Sequence, residues 1–240
     1  MEKKEMNVLE HLDELRKRMI YTLIAFMISF VSSFIFVEDL YRWFVRNLNN
    51  KLVILGPSDI LWVYMVIAGI FAITITIPVA AYQTWKFLAP GLTLEEQKLT
   101  LAFIPGVFLL FVIGISFGYF VLFPIVFTFL TTLSEMQFET MYTADNYFRF
   151  VINLTLPFGL LFEMPLVVMF LTRLGIINPV SLAKARKVAY FVLIVVSIFI
   201  TPPDFVSDIL VIVPLLFLYE VSISLSKIIY NKRLAEMEAL

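Results

Sequence analysis

From position 99 to position 134 the chain runs for 36 residues without a charged side chain. A helix of that length would be about 54 Å long, and roughly 20 apolar residues already suffice to cross the hydrocarbon core of a bilayer. Such a run has no place on the surface of a soluble domain, so lipid is the solvent it requires. Five more runs between charges follow the same logic: 19–37, 60–85, 150–172, 188–203 and 209–226, of which the run at 150–172 is interrupted only by Glu163 and the last only by Glu220. In hydrocarbon each backbone N–H and C=O needs a partner within the protein, so each run is predicted to be a helix. Composition agrees, with 61% hydrophobic and 16% aromatic residues and a mean hydropathy of +0.93. The fold class expected is an all-α polytopic integral membrane protein, one domain of six transmembrane helices over residues 1–240.

Several function classes drop out at this point. A net charge of -1 argues against nucleic acid, whose backbone calls for a basic surplus or patch. With no cysteine and a single histidine, His11, neither disulfides, Cys-rich zinc sites nor iron–sulfur clusters are expected, and no metal or cofactor is predicted. The first apolar run starts only at Met19, after five acidic residues, and lacks a small-residue cleavage site, so it reads as a retained span rather than a signal peptide.

Lysine and arginine set the direction. With the N-terminus inside, 14 of the 18 fall on cytoplasmic segments, and only Arg42, Arg46, Lys51 and Arg149 lie outside. The positive-inside rule then places both termini in the cytoplasm, with 227–240 as a cytoplasmic tail. Pro105 and Pro124 are expected to bracket the membrane part of the third run. The fifth run, 16 residues or roughly 24 Å, falls short of the core thickness of about 30 Å. Either the bilayer thins there, or the helix extends into flanking polar residues. The outer, periplasmic loops, 38–59 and 128–149, carry Tyr41, Trp43, Phe44, Phe138 and Tyr142 and are predicted to form short interfacial helices as a cap, with Asp145 capping the fourth span.

Polar motifs cluster on the inner side. Residues 7–18 space Val8, Leu9, Leu12 and Leu15 at helical intervals, an amphipathic helix leading into the first span, with Asn7 and Glu10 at capping-box spacing. Glu14 is either a binding carboxylate or half of a solvated i, i+4 pair with Arg18. His11 is too isolated to act as a metal or catalytic group. In KFLAPGLTLEEQK, Pro90-Gly91 makes a turn and Thr93 with Glu96 fits a capping box, which leaves one Glu96 oxygen for a ligand. After the fifth span, TPPD ends a helix and Asp204 is placed to cap the next. Asp208 lies one turn on, near that helix's positive end.

Glu163 is the fourteenth of the 23 residues from 150 to 172. Even lenient scales put a mid-bilayer carboxylate at a cost of a few kcal/mol, so it needs a reason to be there. Thr155, Gly159 and Glu163 share one helical stripe, the glycine leaving room for water or another chain. Pro157 and Pro165 free backbone carbonyls and kink the helix. Two readings stand: a polar cleft, or a protonated acid bonded to a freed carbonyl. No intramembrane serine–histidine or paired-aspartate set is present, and neither is a GxxxxGK[ST] loop, so no enzymatic activity is expected.

HLDELRKR before the first span, FLAPGLTLEE between the second and third, FEMP in the fourth and TPPD after the fifth together resemble the TatC family, the multispanning component of the twin-arginine protein translocase. The resemblance covers roughly residues 9–230. It implies a receptor in the bacterial plasma (inner) membrane for signal peptides with two adjacent arginines, exporting folded precursors on the proton gradient. It further implies single-span TatA and TatB partners near the short fifth and sixth spans, and self-association in a larger complex. By the same resemblance Glu14, Arg16, Phe87 and Glu96 bind the twin-arginine signal. Glu163 faces the concave interior as a polar cleft or partner contact, and Asp204 is a partner contact on the outer side. Bidentate carboxylate recognition fits arginine and not lysine. The sequence departs from the family pattern at Asn47, where relatives often have proline, and at Asp208, where relatives have glutamine. The competing expectations are a proton-coupled small-solute transporter working through Glu163 and a purely structural membrane scaffold.

Overall fold

A computed structural model describes residues 8–46, 52–135, 141–201 and 205–238. Among them the secondary structure is helical apart from turns and one isolated β-bridge. The chain forms two compact units, Met1–Leu48 with Tyr64–Phe108, and Asn49–Val63 with Leu109–Leu240.

In the first unit α1 (Val8–Ile35) continues from the amphipathic segment straight into the apolar run. Met19, Leu23, Ile28, Val31 and Ile35 are all exposed along it, a surface that water would penalise and lipid accepts. The short helix α2 (Val37–Val45) follows, burying Val37 and Phe44 and leaving Glu38, Asp39 and Arg42 on its other face. Its position and length match the short helix expected in the first outer loop. Helix α3 (Pro57–Leu88) passes through Pro78 unbroken, and a 3-10 turn, Ala89–Gly91, carries the chain into α4 (Leu94–Leu101).

The third apolar run is segmented near its prolines. Pro105 sits in the first turn of α5 (Phe103–Phe117), where its missing N–H leaves the Leu101 carbonyl free, and α4 stops just before. Pro124 opens α6 (Phe123–Glu135), directly after a single π turn, Gly118–Leu122. The fourth run turns without breaking: α7 (Ala144–Leu161) absorbs Pro157, and ahead of Pro165, in the first turn of α8 (Met164–Arg173), Phe162 and Glu163 form a tight turn that keeps right-handed helical dihedrals and joins the two helices. Thr143, and not Asp145, caps α7, its hydroxyl accepting from Asn146 N at 3.3 Å. Asp145 instead pairs with Arg149 one turn on.

Helices α9 (Pro179–Lys184), α10 (Arg186–Ile200) and α11 (Phe205–Glu238) complete the second unit. At 15 residues, α10 is about 22 Å long and stays short of a bilayer core. Five helical stretches among the described residues are long and apolar enough to span: Glu10–Ile35, Pro57–Gly91, Glu96–Ser134, Ala144–Arg173 and Phe205–Ala235. In the second outer loop the described residues form no separate short helix. Val53 instead bridges to the residues before α7, its N–H donating to Tyr142 O and its carbonyl accepting from Ala144 N, each at 2.9 Å.

The second unit closes on aromatic and small residues. Phe111, Phe148, Leu154 and Phe158 are fully buried. Gly114 and Gly118 let backbones touch: a Cβ on Gly114 would stand 2.6 Å from Phe158 O, and one on Gly118 2.8 Å from Thr155 Cα. Thr172 of α8 and Ser226 of α11 share a buried hydrogen bond of 2.7 Å.

Candidate functional site: an apolar groove with an acid at its polar end

In the first unit a groove of about 810 Å³ runs between α1 and α3. Leu12, Leu15, Met19 and Leu23 form one wall, and Ala80, Thr84 and Phe87 lie on the other. Arg16 and Arg18 also line it, so its side walls are apolar and one end is cationic. Two of the residues expected to bind signal peptide, Arg16 and Phe87, therefore lie on one surface.

Glu14 stands beside that end. Its carboxylate accepts from Arg18 Nη2 at 2.9 Å, and the two side chains are only 21% and 19% exposed. On the other side of the guanidinium, Arg18 Nη1 donates to Gln83 Oε1 at 3.4 Å. Arg16 turns outward to Asp13, at 2.7 Å. The i, i+4 pairing expected of Glu14 is thus formed, in a half-shielded setting rather than on a solvated face. The ring of His11 stacks on Phe87, centroids 4.2 Å apart and planes at 20°. Sequence reasoning treats His11 as isolated; its only signal is helical spacing, one turn before Glu14.

Glu96 does not line the groove. Its Oε2 accepts from Thr93 N and from Thr93 Oγ1, both at 2.9 Å, closing the predicted capping box. The FLAPG connection is held by further bonds: Gln97 Nε2 donates to Ala89 O at 2.8 Å, and Trp85 Nε1 to Thr100 Oγ1 at 2.9 Å. A buried indole N–H seeks such an acceptor, and this one ties the end of α3 to α4.

In the second unit Glu163 lies at the α7–α8 joint. Both carboxylate oxygens are buried, with the backbone of Phe111 within reach, and the bond to a freed carbonyl is not made. The room expected beside Gly159 is taken up: a Cβ there would meet Ile115 Cδ1 and Phe111 Cε2 at 2.9 Å. Sequence reasoning also passes over a second charged group. Glu220 receives Arg186 Nε and Nη2 at 2.8 and 2.9 Å and Tyr190 OH at 2.6 Å. The bond to Glu220 is the main reason that the Arg186 pKa is raised above its ordinary value. A lone acid inside an apolar run, with an arginine just outside the preceding one, is the signal that could have found the pair. Asp208 accepts from the Thr201 hydroxyl across the α10–α11 turn. Asp204, Asn7 and Asn47 lie outside the described residues. No group of three or more His, Asp or Glu among the described residues is placed to hold a metal ion.

Comparison with known proteins meets this geometry. The family model described as Sec-independent protein translocase protein (TatC) matches residues 10–214. The Bacillus subtilis protein TatCd is 64% identical over 100% of this chain and 99% of its own length. Its paralogue TatCy is 44% identical over 97% of this chain and 93% of its own. A crystal structure of the twin-arginine translocase receptor TatC superposes with a TM-score of 0.80 at 33% identity, covering 91% of this chain and 99% of that one. On sequence along its whole length and on fold, the chain belongs to the TatC family of Sec-independent protein translocase proteins.

Proposed function

We propose that this chain is the signal-peptide receptor of a twin-arginine translocase. It binds the paired arginines of folded precursors at the polar end of the α1–α3 groove and scaffolds single-span TatA and TatB partners for export driven by the proton gradient. It has no turnover of its own and assembles with further copies. It sits in the bacterial plasma (inner) membrane with α10 as a short sixth span and both termini cytoplasmic. The observation that carries this reading is the gathering of Glu14, Arg16 and Phe87, from two separate motifs, around one groove. A charge-assisted bond at such a half-shielded carboxylate is stronger than one in open water, and a guanidinium engages both oxygens where an ammonium presents a point charge. Glu96 contributes its charge from the start of α4, and Glu163 and Asp204 serve partner contacts. The match along the chain to protein translocase components favours this reading over a small-solute transporter working through Glu163.

The test is crosslinking of a twin-arginine signal peptide to the detergent-solubilised protein, with a twin-lysine peptide as control. Replacing Glu14 and Glu96 by alanine is expected to bring the twin-arginine signal down to the control. Unchanged crosslinking in that variant would overturn the site.

A further inference from the structure

We propose that Arg18 is an internal stand-in for the arginine of the signal peptide: it occupies Glu14 until an incoming guanidinium displaces it, and that exchange sets the affinity threshold a peptide must pass to bind. This rests on the reading of Glu14 as a twin-arginine acceptor, and adds to it the residue that guards that acceptor.

Three observations converge. The Glu14–Arg18 pair is far more shielded than its neighbour on the same helix, 21% and 19% exposed against 44% and 71% for Asp13 and Arg16. A carboxylate shielded to that degree is costly when left unpaired, so an empty receptor needs a resident cation. Arg18 is nevertheless incompletely held: one bond to Glu14 at 2.9 Å, a long one to Gln83 at 3.4 Å, and an Nε that is buried with no partner. It also lines the groove, so a ligand lying there meets it.

These features raise the threshold for binding by competition. An unguarded Glu14 would accept any cation, lysine included. With Arg18 in place, a newcomer gains only what it offers beyond a single guanidinium contact. An arginine that engages both carboxylate oxygens offers that surplus, and a lysine ammonium does not. The displaced Arg18 keeps Gln83 as an acceptor.

The experiment measures affinities of labelled twin-arginine and twin-lysine signal peptides for the full-length protein in detergent, comparing wild type with Arg18→Gln, Arg18→Lys and Glu14→Gln. Arg18→Gln is expected to tighten twin-arginine and twin-lysine binding alike, roughly two- to fivefold, the scale of one partly exposed ion pair, because both peptides displace the same resident group. Arg18→Lys, which keeps the charge and loses the planar guanidinium, should tighten both peptides by less and serves if the glutamine variant does not fold. Glu14→Gln should weaken both peptides. Unchanged affinities for both peptides in both Arg18 variants, or a loss of twin-arginine binding in Arg18→Gln like that in Glu14→Gln, overturns the stand-in while leaving the Glu14 site in place. Full twin-arginine binding in Glu14→Gln overturns the site itself and the stand-in with it.

Discussion

Arg186 and Glu220, 34 residues apart, meet fork to fork, Nε to Oε1 at 2.8 Å and Nη2 to Oε2 at 2.9 Å, with Tyr190 OH adding a third donor at 2.6 Å. The contact pins the start of α10, a helix too short to bury much on its own, against the middle of α11. Both side chains are about two-fifths exposed, so solvent screens much of their attraction despite the geometry. Glu220→Ala should lower the thermal midpoint of the purified protein by a few degrees, and Tyr190→Phe by less. Because a lysine cannot reproduce the fork, Arg186→Lys should recover only part of the loss. A lysine variant as stable as wild type would show that the second bond contributes nothing.

Capping and charge are separable at Glu96. Its Oε2 receives Thr93 N and Oγ1, and a glutamine oxygen can accept the same two bonds. Glu96→Gln should therefore keep α4 intact and remove only the negative charge, whereas Glu96→Ala removes both, at a cost of about 1 kcal/mol. If Glu96 takes part in holding the signal peptide, the glutamine variant loses twin-arginine crosslinking while its unfolding midpoint stays close to that of wild type. Wild-type crosslinking in that variant reduces Glu96 to a helix cap.

Much of this arrangement is legible in the amino-acid sequence, because its determinants are local. Pro105, Pro124 and Pro165 each follow a change of helix geometry in an apolar run, Thr93 and Glu96 announce the start of α4, and the shortness of α10 follows from counting residues between charges. The cap of α7 falls to Thr143 rather than to the expected Asp145 because both residues can accept from a first-turn N–H, and the choice depends on where the bridge from Val53 fixes the backbone. What stays hidden depends on which helix faces meet. Nothing in the sequence says that the gap at Gly159 is filled by Ile115 and Phe111, or that Gln83 reaches Arg18. Of the residues at the site, Glu14, Arg16 and Phe87 are recognisable from their motifs. Gln83 and His11 are not, since their roles exist only once α1 lies beside α3.

The close approach through Gly114 and Gly118 makes a sharp stability prediction. A methyl group at either position would run into backbone atoms of α7, at 2.6 Å for Phe158 O and 2.8 Å for Thr155 Cα, and backbone cannot rotate away as a side chain can. Gly114→Ala and Gly118→Ala should each destabilise by about 1–3 kcal/mol, the usual range for overpacking. Gly69 is the internal control, since nothing lies within 4 Å of the position a methyl group would take there and alanine favours a helix. Gly69→Ala should leave the unfolding midpoint unchanged or raise it. Equal effects at all three positions would mean that the close contacts are not what requires glycine.

The stacked rings of His11 and Phe87 predict a different kind of effect, on binding and not on folding. Phe87 lines the groove with its ring half-covered, and His11 is the aromatic group seen against it, at 4.2 Å and 20°. An aromatic pair in this geometry adds about 0.5–1.5 kcal/mol beyond the area it buries, and here that energy fixes the orientation of a ring at the groove wall. His11→Ala should leave Phe87 free to change rotamer and weaken twin-arginine peptide binding severalfold with little change in thermal midpoint. His11→Phe restores a stacking partner and should restore binding, whereas His11→Gln keeps polarity without a ring and should not. Recovery with glutamine but not with phenylalanine would assign His11 a hydrogen-bonding role in place of the stack. Crosslinking yield measured across the three variants, with the midpoint recorded alongside, separates the outcomes.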